Sequence, residues 1–89
     1  MKAVVTVVGK DRVGIIASVC VKLAEYNINV LDISQTVMKD YFTMMMAVDV
    51  SESNVPLADL SRNMEEAGNE MGLSIRVQRE DIFEAMHRI

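Results

Sequence analysis

The chain has 89 residues, a length that holds one domain and not two. It is 51% hydrophobic with eight methionines, which excludes a disordered chain and points to apolar surface beyond what one thin core hides. A net charge of -4, with no cluster of basic residues, excludes the positive footprint of a nucleic-acid-binding surface.

In chain order, Ala3 to Val8 is a β-branched run ending at Gly9 and reads as a buried strand. Gly9-Lys10-Asp11-Arg12 follows as a loop. From Val13 to Tyr26 the residues Ile16, Val19, Cys20, Leu23 and Ala24 recur at helical spacing, with Asp11 or Arg12 at the helix start and Asp11 the better source of a capping oxygen. Asn27 tolerates the left-handed backbone that a helix end requires. Val30 to Met38 alternates, with Leu31, Ile33 and Val37 on one face and Asp32, Ser34 and Thr36 on the other. Lys39-Asp40-Tyr41 is a tight hairpin connection. Phe42 to Val50 is the next strand, placing Phe42, Met44, Met46, Val48 and Val50 on one side and Thr43, Met45, Ala47 and Asp49 on the other.

Pro56 suits a first helical position, because its missing amide proton is not needed there. Leu57, Leu60, Met64, Ala67 and Met71 then form the apolar stripe of a helix that Gly72 closes. Leu73, Ile75 and Val77 alternate in a last strand, and Asp81 to Ile89 reads as a short helix with Ile82, Phe83, Met86 and Ile89 on its apolar side. Two β-α-β units around a hairpin predict an α+β, ferredoxin-like βαββαβ sandwich with antiparallel sheet order 4-1-3-2, plus a short C-terminal helix. The first and third strands are apolar on both faces and belong in the centre. Helices cover one face only, so Met45 and Ala47 need a cover: a partner's sheet, a partner's helix, or this chain's own Ile82, Phe83 and Met86.

Most chemistry-bearing residues have a plain structural reading. Cys20 lies on the apolar face of its helix as a small packed hydrophobe, and a lone cysteine suits a reducing compartment. His87 has no neighbours at metal-ligand spacing. Met44, Met45 and Met46 alternate in direction along a strand, so packing explains them better than a soft metal does. Asp32 and Asp49 share the open face and could pair, but neither has the partners that acid–base catalysis requires. No nucleophile has a base and an orienting group. No catalytic residue, metal or cofactor is therefore expected. No apolar run reaches the ~18–20 residues of a membrane span, no signal peptide is visible, and the cytoplasm is the expected location.

The loop from Gly9 to Gly14 stands apart. It leads into a helix N-terminus, where free amides and the helix dipole favour a carboxylate, and its glycines would let backbone approach a ligand. The spacing of the two glycines is that of a phosphate-binding loop, but the Lys and Ser/Thr that should follow are absent. A plain turn capped by Asp11 is the alternative.

Thr6-Val7-Val8-Gly9-Lys10-Asp11-Arg12-Val13-Gly14-Ile15-Ile16-Ala17 resembles the start of an ACT domain. Asn27 to Ile33 and Phe42 to Met46 continue the likeness, which covers about residues 2 to 79. The type resembled is the small stand-alone one, related to glycine-cleavage regulatory proteins and the N-terminal domain of formyltetrahydrofolate hydrolase. The family's usual Asp-Arg-Pro-Gly is here Asp-Arg-Val-Gly, which keeps the helix start but loses proline's preset φ. The resemblance implies an ACT-like domain over 1–79 and a helical tail over 80–89. It implies a regulatory domain, not an enzyme, that binds an amino acid or similar small effector at a homodimer interface and modulates a metabolic or transcriptional partner. The implied ligand residues are Asp11, Arg12, Val13, Gly14 and Ile15 in the loop, with Asn29 and Leu31 across from it. The rival expectation is a ligand-free interaction module that docks on a larger enzyme. An acylphosphatase-like enzyme would need an asparagine on the central sheet to accompany Arg12, and none stands out.

Overall fold

The computed structural model describes residues 1–10 and 13–86, the last by its backbone only. The elements run β1 (Lys2–Lys10), α1 (Ile15–Glu25), β2 (Asn29–Met38), β3 (Tyr41–Asp49), α2 (Leu57–Met71), β4 (Ser74–Arg79) and α3 (Glu80–Met86). The strands form one antiparallel sheet in the order β2-β3-β1-β4, which is the expected 4-1-3-2 read from its other edge. No helix among the described residues is long and apolar enough to cross a membrane.

Alternation in the strands decides where the core lies. Ala3, Val5 and Val7 of β1, Phe42, Met44, Met46 and Val48 of β3, and Ile75 and Val77 of β4 are all buried on the helix side. The helices close this layer with Ile15, Val19 and Leu23 of α1 and Leu60 and Met64 of α2. Each such burial contributes about 1.5–3 kcal/mol before the entropy of ordering the chain is counted. Gly68 is also buried in α2, because a Cβ there would lie 2.9 Å from the Leu73 carbonyl oxygen. The helical stripe continues through it with no side chain at all.

Both long helices end in the same way. Asn27 (φ 61) and Gly72 (φ 73) take the left-handed conformation just after α1 and α2. The next amide then reaches back to the last turn: Ile28 N–H donates to the Leu23 carbonyl at 3.1 Å and Leu73 N–H to that of Gly68 at 2.7 Å. This is the Schellman arrangement, and it satisfies carbonyls that the helix leaves without partners.

The helix starts differ from expectation. Helix α1 begins at Ile15, not Val13, and Gly14 precedes it in the left-handed region (φ 90) with no described side chain capping the turn. Asp11 and Arg12 lie outside the described residues. Strand β1 continues through Gly9 to Lys10, so Gly9 is a strand residue whose missing Cβ makes room for the Leu73 side chain. Pro56 sits one residue before α2 in extended backbone (ψ 152), and its carbonyl accepts the Leu60 amide at 2.9 Å.

Strand β2 carries the largest difference. Val30 pairs with Val48 but Asp32 pairs with Ala47, so Leu31 is an extra residue in a β-bulge. Alternation restarts after it. Ile33 and Val37 share Val30's helix side, Asp32, Ser34 and Thr36 take the open side, and Leu31 belongs to neither row. The strand is exposed along almost its whole length. At the other edge β4 passes directly into α3, which folds back over the open face near β1 and β4. Of the apolar side expected for this helix, Phe83 is half-buried and Ile82 remains exposed. The Met86 side chain, His87 and Ile89 lie outside the described residues. The chain's own tail is thus one of the expected covers of the open face.

Candidate functional site

The register fixes two ends of the sheet. At one end Lys10 pairs with Tyr41, which pairs with Met38, and the Lys39-Asp40 turn lies just beyond. At the other end Lys2 pairs with Asp49, which pairs with Asn29. Gly14 follows Lys10 by four residues and belongs to the first end. Helix α1 then runs back for 11 residues, about 16 Å at 1.5 Å per residue, to the second end. Asn29 and Leu31 therefore lie at the far end of α1 from Val13, Gly14 and Ile15. The chain does not bring the two predicted halves of the site together, because α1 spans the length of the sheet between them.

Each half has its own character. Around Gly14 the backbone is open: Val13 is fully exposed, and a Cβ on Gly14 would meet nothing within 4 Å. The Gly14 carbonyl accepts the Ser18 amide at 2.9 Å, while no acidic side chain stands in the first turn. The first amides of α1 are thus left without a described side-chain acceptor, as an anion at a helix N-terminus requires. Ile15 is buried and anchors the turn to the core.

At the far end, Asn29 borders a depression of about 270 Å³ shared with Ala24, Asn27, Ile28 and Glu52. Side-chain amides tie this region together. Asn27 Nδ2 donates to the Glu52 carbonyl at 2.9 Å, and Asn54 Nδ2 donates to that of Glu25 at 3.0 Å. Asp49 belongs here too, and it does not pair with Asp32. Its carboxylate accepts the Ser51 amide at 2.9 Å, and hydrogen bonds from Ser51 hold its pKa below the ordinary 3.8, with the N-terminal ammonium contributing less. Asp32 instead accepts the Ile33 amide at 2.9 Å.

Apolar side chains line the flank that joins these ends. Leu31 (47%), Ile33 (41%) and Val37 (54%) are exposed on β2, and Val21 (63%) is exposed on the face of α1 turned away from the core. Alternation along β2 does not by itself show that this row is exposed. The signal was present in Ala17, Val21 and Ala24, which repeat at helical spacing opposite Val19 and Leu23.

A family model described as an ACT domain matches residues 2–78. The chain belongs to the ACT domain family. A UPF0237 protein of Bifidobacterium longum is 52% identical over 99% of this chain and 98% of its own length. The solved structure of an ACT domain protein from Streptococcus pneumoniae superposes with a TM-score of 0.83 at 46% identity, covering 98% of both chains. A formyltetrahydrofolate deformylase from Pseudomonas syringae shares the fold at 21% identity and a TM-score of 0.78, over 88% of this chain and 27% of that one. The ACT domain match ends where β4 ends, one residue short of Arg79, and α3 follows it.

Proposed function

We propose that this ACT domain is a regulatory module, not an enzyme, that works as a homodimer and binds an amino acid or similar small effector between two protomers. The observation that carries the reading is the separation of the two half-sites along α1, combined with the bare flank of β2. Strand β2 is an edge with unpaired backbone groups and apolar side chains, which invites a second strand. Pairing β2 with a second β2 about a two-fold axis is antiparallel. It turns the partner end for end, so the partner's Gly14 turn falls beside this protomer's Asn29 and Leu31. The exposed α1 faces of the two protomers would meet on the same side.

In that arrangement the free amides at the start of α1 hold the effector's carboxylate, and Asn29 of the other protomer orients its polar groups. The effector couples the protomers because its contacts exist only in the dimer, so effector binding and dimer formation favour each other to the same degree. A metabolic enzyme or a transcriptional regulator is the partner class that reads the change.

Calorimetric titration with each of the common amino acids tests the reading, with light scattering to follow the oligomeric state. Saturable binding by at least one of them, lost in Gly14→Leu, is expected. Binding by none would overturn the effector assignment and leave a ligand-free interaction module.

A further inference from the structure

A second site lies on the opposite face of the sheet, and it goes beyond the effector reading. Helix α3 and the open face enclose a groove of about 250 Å³ lined by Val4, Met45, Ala47, Asp32, Ser34 and Phe83. Its floor is apolar. Its β2 side carries Asp32 and Ser34, two residues apart on one strand and facing the same way.

The bulge at Leu31 is what puts Asp32 there. Without the extra residue, alternation from Val30 would turn Asp32 towards the helices, since a one-residue slip reverses every side chain. Asp32 has no ion-pair partner among the described residues. Its Oδ1 is fixed by the Ile33 amide at 2.9 Å, which orients the carboxylate. The lid contributes Phe83 to the lining. Its Glu80, Asp81 and Glu84 line a different depression, shared with Met1, Lys2 and Arg79, and Asp81 pairs with Arg79 at 2.7 Å. On the open face Lys2 lies two residues along β1 from Val4, and Arg76 lies in the row of Ser34, three strands and about 14 Å of backbone away.

The geometry points to a binding site for a small protonated amine with a compact apolar body and no carboxylate. The ammonium sits between Asp32 and Ser34, and the apolar body lies on Val4, Met45 and Ala47 beneath Phe83. The volume is below the ~300–1,000 Å³ of drug-sized sites, so the ligand has few heavy atoms. An anionic ligand is disfavoured by the Asp32 carboxylate.

The test is an NMR titration of the full chain with isopentylamine, using isopentanol and isovalerate as neutral and anionic controls of matched shape. The amine is expected to give saturable shifts at the amides of Val4, Ser34, Met45 and Ala47 and at the Phe83 ring, and isovalerate none. Asp32→Asn keeps an oxygen for the Ile33 amide and removes the charge. It should weaken amine binding at least about tenfold while the spectrum stays dispersed. Met45→Lys, which places an ammonium in the groove, should abolish binding without altering Asp32. Equal responses to amine and alcohol, shifts centred elsewhere, or full affinity in Asp32→Asn would overturn the assignment.

Discussion

At Gly68 the backbone of α2 approaches β4 too closely for a side chain. A Cβ would lie 2.8 Å from Ile75 Cγ1 and 2.9 Å from the Leu73 carbonyl oxygen. The second contact decides the outcome, because a backbone carbonyl in the short connection between α2 and β4 cannot swing aside as a side-chain tip can. Gly68→Ala gains about 1 kcal/mol of helix propensity, yet overpacking of this kind typically costs about 1–3 kcal/mol. Net destabilisation is expected, measured as a lower urea midpoint with an unchanged slope. Gly14 is the reverse case: nothing among the described residues crowds it, and its left-handed φ of 90 favours glycine. Asp49 gives a pH prediction. Its folded pKa is lowered, so the unfolded chain binds the proton more tightly and the group stabilises the fold above its unfolded value. That contribution is lost as pH falls below about 4 towards the folded pKa. Denaturant titrations of wild type and Asp49→Asn across that window should converge at the acid end, with wild type the more stable at neutral pH.

Among the elements, strand and helix identity could be read from the residues because each core-facing period is unbroken: Ala3-Val5-Val7, Phe42-Met44-Met46-Val48 and Leu60-Met64. Asn27 and Gly72 could be read as helix ends for an equally local reason, their tolerance of positive φ. The bulge at Leu31 could not. It depends on which residue of β3 lies opposite, and Leu31, Ile33 and Val37 alternate convincingly without it. Gly9 was hidden in the same way, since its packing against Leu73 joins residues far apart in sequence. The start of α1 was misplaced because Val13 continues the apolar pattern, while Gly14 sets the backbone. The flank of β2 carries a prediction of its own. Ile33→Lys and Val37→Lys put charge on an exposed edge, where it should leave the far-UV circular dichroism unchanged. Light scattering should nevertheless show the dissociation constant of the proposed dimer weakened at least about tenfold, or 1.4 kcal/mol.

For the whole molecule, the question is how a chain whose predicted ligand residues fall at opposite ends of one helix could form a single site. Sequence likeness supplied both halves, Val13-Gly14-Ile15 and Asn29-Leu31, but not the distance between them, which follows from the length of α1 and the sheet register. The proposed two-fold partner would resolve it by supplying the missing half, and this makes a prediction that no site within one protomer would share. Gly14→Leu damages only the loop half and Asn29→Ala only the strand half. In a mixed dimer of the two variants, both lesions fall in one site and the other site is intact. The decisive measurement is therefore a calorimetric titration of the equimolar mixture with an amino acid that wild type binds. Each variant alone should show no saturable binding, and the re-equilibrated mixture should regain about a quarter of the wild-type sites at wild-type affinity. A mixture as inert as its components would contradict a site shared between protomers.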